Sequence, residues 1–225
     1  MDWMNPLMPA RFDLSLYLVT DPAMTARRGL VATVAAAVAG GVTMVQLRDK
    51  DAATQDLIET GRALRALLAP IGIPLIVNDR VDVARAIGAD GAHVGQGDLT
   101  PAAARAILGP RAIIGLSITQ EEQLPAVDAN VDYVGLGPIF PTGTKADAAP
   151  ALGKSGFAAI RRRLRCPVVA IGGITAINAA HAIAAGADGI AVVSAICAAE
   201  DPRAAARTLR SALDSALKSR SVPHF

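Results

Sequence analysis

Gln46, Arg48 and Lys50 alternate along one short segment. In an extended chain they share a side, while Val45 and Leu47 take the other. With Val45 and Leu47 packed away from water, the polar three face an open edge. The plainer alternative is a solvated strand end with a local Arg48–Asp49 pair. The chain has only four lysines, and two of them, Lys50 and Lys145, fall just beyond predicted strands. Asp79 and Asp98 follow two further strands. Mg²⁺ is usually held by one or two carboxylates together with substrate phosphates, which suits this pair. Each also has a structural alternative, since Asn78 or Asp79 could cap a helix starting near Arg80, and Asp98 one starting at Pro101. Cations, a metal site and neutral donors can stabilise a leaving pyrophosphate without a strong base.

Other chemistries lack their residues. The four glutamates, Glu59, Glu121, Glu122 and Glu200, all fall on predicted helices, so neither paired-carboxylate glycoside hydrolysis nor glutamate-driven enolisation is suggested. No lysine lies within a predicted strand, which argues against Schiff-base chemistry. His93 ends a strand and is either a satisfied core histidine or a site residue. His181 falls mid-helix and His224 near the C-terminus. Cys166 and Cys197 sit in apolar surroundings and read as small core residues. The net charge of +2 is too small for a nucleic-acid surface. The cluster Arg161, Arg162, Arg163 and Arg165 ends a predicted helix and reads as a solvated face. The most apolar stretch, residues 176–199, contains Asn178, His181 and Asp188 and does not read as a membrane span. The N-terminal residues, with Asp2 and Asn5, show no basic-then-apolar signal pattern, so a reduced, cytoplasmic setting is expected.

The elements that must position these groups are short β-branched runs alternating with Ala-rich amphipathic stretches. Strands are predicted at residues 14–19, 43–48, 74–77, 91–94, 112–116, 131–135, 167–171 and 189–193. Helices include 53–69, 81–87, 101–108 and 176–185, with Gly40, Gly88 and Gly186 as left-handed caps. Eight strands and eight helices make one α/β domain, a (β/α)₈ TIM barrel over residues 1–225, with 1–12 and 220–225 as tails. In such a barrel the strand ends converge on one face. That face then gathers Gln46, Arg48 and Lys50, then Asn78 and Asp79, then Gln96 and Asp98. Ser117, Thr142, Thr144, Lys145, Gly172, Gly173 and Ser194 complete the ring. Loops seven and eight often bind phosphate in these barrels, although Gly172 and Gly173 could serve only tight turns. Residues 137–153 form a connection longer than usual, expected to act as a lid that excludes water, with Lys145 as its anchor.

These segments resemble the thiamine-phosphate synthase family. The match runs through Tyr17-Leu-Val-Thr-Asp21, Gln46-Leu-Arg-Asp-Lys50, Asn78-Asp-Arg80, Gly91-Ala-His-Val-Gly-Gln-Gly-Asp98, Pro141-Thr-Gly-Thr-Lys145, Ile171-Gly-Gly-Ile174 and the run ending at Ser194. The resemblance implies coupling of hydroxymethylpyrimidine diphosphate to thiazole phosphate through a pyrimidine-methyl cation. It implies that Gln46, Leu47, Arg48, Asp49, Lys50, Asn78, Ser117 and Lys145 bind the pyrimidine diphosphate, with Lys50, Lys145 and Ser117 catalytic. Asp79 and Asp98 would hold Mg²⁺, and Thr142, Gly143, Thr144, Gly173, Val193 and Ser194 the thiazole phosphate. The partners are then small phosphorylated molecules, with no nucleic acid or membrane, and the oligomeric state is left open. Many relatives carry a histidine just after the serine, where this chain has Ile118 and Thr119. That departure bears on one alternative, a thiazole tautomerase on the same barrel; a non-catalytic phosphate-binding barrel is the other.

Overall fold

The structure is a computed structural model that describes residues 12–143 and 149–221. Eight parallel strands close on themselves, β1 (Leu16–Val19), β2 (Met44–Leu47), β3 (Leu75–Asn78), β4 (Gly91–Val94), β5 (Ile113–Ile118), β6 (Tyr133–Leu136), β7 (Val168–Ile171) and β8 (Gly189–Val192). β8 returns to pair with β1, Leu16 facing Ile190, so the single-domain barrel has no sheet edge. Around it run α1 (Pro22–Thr25), α2 (Leu30–Ala39), α3 (Thr54–Leu68), α4 (Val81–Ile87), α5 (Pro101–Leu108), α6 (Gly153–Arg161), α7 (Ala179–Ala184), α8 (Ser194–Cys197) and α9 (Pro202–Ser221).

Period-two alternation divides the strand residues between two apolar layers. Val45, Leu47, Val77, Leu116, Val134 and Ala170 point outward into the layer between strands and helices. Tyr17, Met44, Ile76, Tyr133, Val169 and Ala191 point inward and fill the barrel. Phe12, expected as tail, packs against this inner cluster and meets Tyr133 edge-on at 5.9 Å.

Four sequence expectations change. After β5 comes a 3₁₀ turn, Glu121–Ala126, in place of a regular helix, because Pro125 inside the span has no N–H to donate and its ring disfavours a continuing α-helix. Glu200 lies between α8 and α9 and not on a helix. Gly40 keeps an ordinary right-handed conformation (φ −92°), and the left-handed residue is Gly41. Gly40 is needed for room, since a Cβ there would strike the Arg203 carbonyl and Ala206. At the C-terminus α9 runs to Ser221, two residues into the expected tail.

The starts of the strands are tied by one recurring clamp. Asp90, Asp132 and Asp188 stand just before β4, β6 and β8, and each accepts the backbone N–H of Leu75, Ile114 or Val168 near the start of the preceding strand. Each also meets an arginine, Arg65 of α3, Arg105 of α5 or Arg161 of α6. In the first unit Thr43 takes the aspartate's part, accepting from Leu16 N at 3.1 Å. The tightest clamp is Arg105–Asp132 at 2.6 Å, with both side chains 17% exposed. Asp132→Ala strands the Ile114 N–H and removes the charge partner of Arg105, which keeps the carbonyls of Pro110, Ala112 and Asn130, a loss of about 2–3 kcal/mol. Thermal unfolding should therefore fall by roughly 5–10 °C with turnover at ambient temperature unchanged. An unaltered midpoint would show that the clamp does not stabilise the barrel.

Candidate active site

The opposite face, where the strands end, opens into a cavity of about 260 Å³. Its floor is built by strand register. His93, Gly115 and Tyr133 face one another across β4, β5 and β6. A Cβ at Gly115 would collide with both the His93 ring and the Tyr133 hydroxyl, so only glycine lets these two meet. His93 Nδ1 lies 3.0 Å from the Tyr133 oxygen and Nε2 lies 2.9 Å from Ser117 Oγ. Tyr133 in turn contacts the Tyr17 hydroxyl at 2.8 Å, to which Gln46 Nε2 donates at 2.7 Å. Gln46 and His93, 4% and 7% exposed, thus join two buried tyrosines in one polar chain across the floor. Sequence reasoning left His93 open and passed over Tyr17 and Tyr133 as site residues.

The alternation expected here holds for Gln46, Leu47 and Lys50, whereas Arg48 does not line the cavity. Gln46 turns inward, Leu47 packs outward among the helices, and Lys50 lines the cavity from the following loop. Leu47 can therefore reach a ligand only through its backbone. Arg48 is anchored by Thr20, which accepts from Arg48 N at 2.9 Å, and its buried Nε has no hydrogen-bond partner among the described residues. Asp49 serves its own loop, its carboxylate accepting from the backbone N–H groups of Asp51 and Ala52.

The helix-cap alternatives for the aspartates fall away. α4 begins after Arg80 with no side-chain cap, and α5 is capped by Thr100, which accepts from Ala103 N. Asp79 has a left-handed backbone (φ 59°), unusual outside glycine, and this turns its carboxyl to meet that of Asp98. Burial, helped by the hydrogen bond and charge of Asp98, pushes the Asp79 carboxyl up to about 6. Lys50 and Asn78 act against that rise. Asp98 also accepts from Gly95 N at 2.7 Å, which folds the loop after β4. The two carboxyls meet within the field of Lys50, and among the described residues no third acidic, histidine or cysteine side chain joins them in a metal-ligand group.

Across the cavity stand Thr142, Gly173, Val193 and Ser194. Gly172 and Gly173 both have positive φ. A Cβ on Gly173 would lie 2.9 Å from Phe140 Cβ, so the glycine lets the loop after β6 lie against the end of β7. The base of that loop is stitched, Leu152 N to Pro138 O at 2.8 Å and Gly153 N to Ile139 O at 3.1 Å. Gly143 is exposed on it and does not line the cavity. Thr144 and Lys145 lie outside the described residues. Thr119, in the place of the histidine of many relatives, is held at its backbone N–H by Gln123 Oε1 at 2.7 Å.

A family model described as thiamine monophosphate synthase matches residues 16–196. The thiamine-phosphate synthase of Azorhizobium caulinodans is 60% identical over 209 residues, covering 92% of this chain and 99% of that protein. That of Xanthobacter autotrophicus is 59% identical over 207 residues, covering 92% and 98%. Among solved structures, a thiamine phosphate pyrophosphorylase from Pyrococcus furiosus superposes with a TM-score of 0.84 at 38% identity, covering 93% of this chain and all of that one.

The carboxyl contact predicts a site that costs stability. Asp79's folded pKa stands above its unfolded value, so the folded state resists its ionisation. Below pH ~4 no penalty exists, and it grows as pH rises through about 6. A shift of about two units would mean ~3 kcal/mol, which solvent screening of this half-exposed pair reduces to about 1. Asp98→Asn removes only the part of that cost owed to Asp98, burial being the larger cause, so in metal-free protein it should raise the unfolding midpoint by about 1–2 °C at pH 7 and not at pH 4. Equal midpoints at both pH values would mean the carboxyls do not repel.

Proposed function

The chain belongs to the thiamine monophosphate synthase family and is a transferase of thiamine biosynthesis that forms thiamine phosphate, and from that premise we propose how its own residues carry the reaction. The substrates are 4-amino-2-methyl-5-hydroxymethylpyrimidine diphosphate and a thiazole phosphate. The bond from the methylene carbon to the diphosphate oxygen breaks first, its electron pair leaving with pyrophosphate. The thiazole nitrogen then gives its lone pair to the pyrimidine-methyl cation.

The observation that carries this reading is the Asp79–Asp98 contact beside Lys50 and Asn78 at the cavity rim. A repelling carboxylate pair with no capping duty fits Mg²⁺, which commonly takes one or two carboxylates and completes its shell with phosphate oxygens. Bound there, Mg²⁺ would offset the charge that builds on the departing pyrophosphate. Lys50 meets the same charge from the β2 loop, and Arg48, whose buried Nε has no hydrogen-bond partner among the described residues, is assigned to the diphosphate on its motif. Ser117 and Asn78 add neutral donors, and Lys145 is assigned as the second lysine on its motif alone. Gln46 at the inner end orients the pyrimidine. Thr142, Gly173, Val193 and Ser194, with Gly143 and Thr144 assigned on the motif, take the thiazole phosphate at loops six to eight. Leu47 and Asp49 contribute by shaping the β2 loop. Work on small phosphorylated substrates suits a cytoplasmic enzyme, and no described helix is long and apolar enough to cross a membrane.

Assaying both substrates with and without Mg²⁺ tests the reading. Asp98→Asn should lower turnover about 100-fold or more at limiting Mg²⁺, and near-normal turnover would remove the metal role. Lys50→Ala should lower kcat roughly 10–150-fold with a smaller rise in KM, since its charge matters more as pyrophosphate leaves. A rise in KM alone would reduce Lys50 to ground-state binding.

A further inference from the structure

The chain from Gln46 to Ser117 has a direction. An amide NH₂ can only donate, and Gln46 Nε2 points at the Tyr17 oxygen. Among the described residues the Tyr17 hydroxyl meets only that amide and the Tyr133 hydroxyl, so its proton has one acceptor, the Tyr133 oxygen. Tyr133 must then pass its own proton on, to His93 Nδ1. Reversing any link would leave a buried O–H without an acceptor, a loss of about 1–3 kcal/mol. Burial also drives both phenols far above their usual range, so each keeps its proton.

We infer that Gln46, Tyr17 and Tyr133 act as positioning residues that hold His93 in its Nε2–H form, which turns the Ser117 hydroxyl proton into the cavity. With Nδ1 accepting, Nε2 carries the ring proton and donates to Ser117 Oγ. The serine no longer spends its proton on His93 and presents it to an oxygen acceptor such as a diphosphate. The inference rests on the reading of Ser117 as a ligand contact. It adds that this contact is set from the far side of the barrel.

Histidine-selective ¹⁵N NMR of the full-length protein reads the ring directly, with His93 assigned by its loss in His93→Gln. Only Nε2 should carry a proton. Gln46→Glu replaces a donor-only end by an acceptor, so Tyr17 can donate to the new carboxylate and the whole chain reverses. Nδ1 should then be protonated, and inorganic pyrophosphate with Mg²⁺ should bind about tenfold more weakly. Adding Tyr17→Phe to that variant cuts the link and should return the proton to Nε2. A purely structural role would not produce a switch that depends on a phenol two hydrogen bonds away. Nδ1–H in the unmodified protein, or a folded Gln46→Glu variant with Nε2–H intact, overturns the inference. Where Gln46→Glu does not fold, the unmodified protein still decides, because the Tyr133 hydroxyl proton must correlate with Nδ1 across the hydrogen bond. A proton bonded to Nδ1 itself overturns the inference. A ring that switches while pyrophosphate affinity holds steady supports the directed chain and removes Ser117 from the ligand contacts.

Discussion

An eight-stranded barrel leaves an interior just wide enough for side chains, so each inward residue limits its neighbours. At Gly115 that limit is relaxed. The missing side chain on β5 lets His93 of β4 and Tyr133 of β6 touch across it, and Gly135 lies 3.1 Å from the His93 ring by its absent Cβ. A polar chain can cross an apolar core only if every member has a partner. The register supplies those partners, and the cavity above inherits a floor that is polar yet buried.

The two faces of the barrel use the same residue type for opposite ends. At the strand starts Asp90, Asp132 and Asp188 accept backbone N–H groups and meet arginines, so each carboxylate is compensated. At the strand ends Asp79 and Asp98 face each other. The difference follows from connectivity. An aspartate before a strand lies beside the start of its neighbour and the helix that precedes it. One after a strand projects into the mouth, where only other loops can answer it.

Much of this was legible in the chain. All eight strands could be placed because buried parallel strands read as short β-branched runs. The ring of polar residues beyond them follows from the barrel once the strands are known. Less legible were features that depend on distant partners. Tyr17 and Tyr133 lie 116 positions apart and nothing local marks their contact, although they are the only two tyrosines in the chain. Gly40 resembles a left-handed cap in sequence, but its reason is the close approach of α9, which no local pattern carries. The helix expected after β5 is a 3₁₀ turn because Pro125 interrupts it, a local breaker that the repeating strand–helix pattern does not reveal. Helix capping by Asp79 or Asp98 stayed open in sequence because aspartate near a helix start is ambiguous until the N–H groups it meets are known.

The left-handed backbone at Asp79 brings conformational and electrostatic cost to one residue. A non-glycine residue there costs stability, and the contact with Asp98 adds electrostatic cost to conformational cost. Packing or capping would explain neither, since glycine or asparagine would relieve both and α4 needs no cap from this position. What the aspartate gains is aim, because the turn brings its carboxyl against Asp98 and into the field of Lys50, itself a cavity-lining residue. The clamps on the opposite face stabilise the barrel by contacts that do not involve the mouth, so the frame can carry this local cost. On the proposed reading, the strained pair is a site held for Mg²⁺, unfavourable by itself and relieved if the cation arrives with its phosphate.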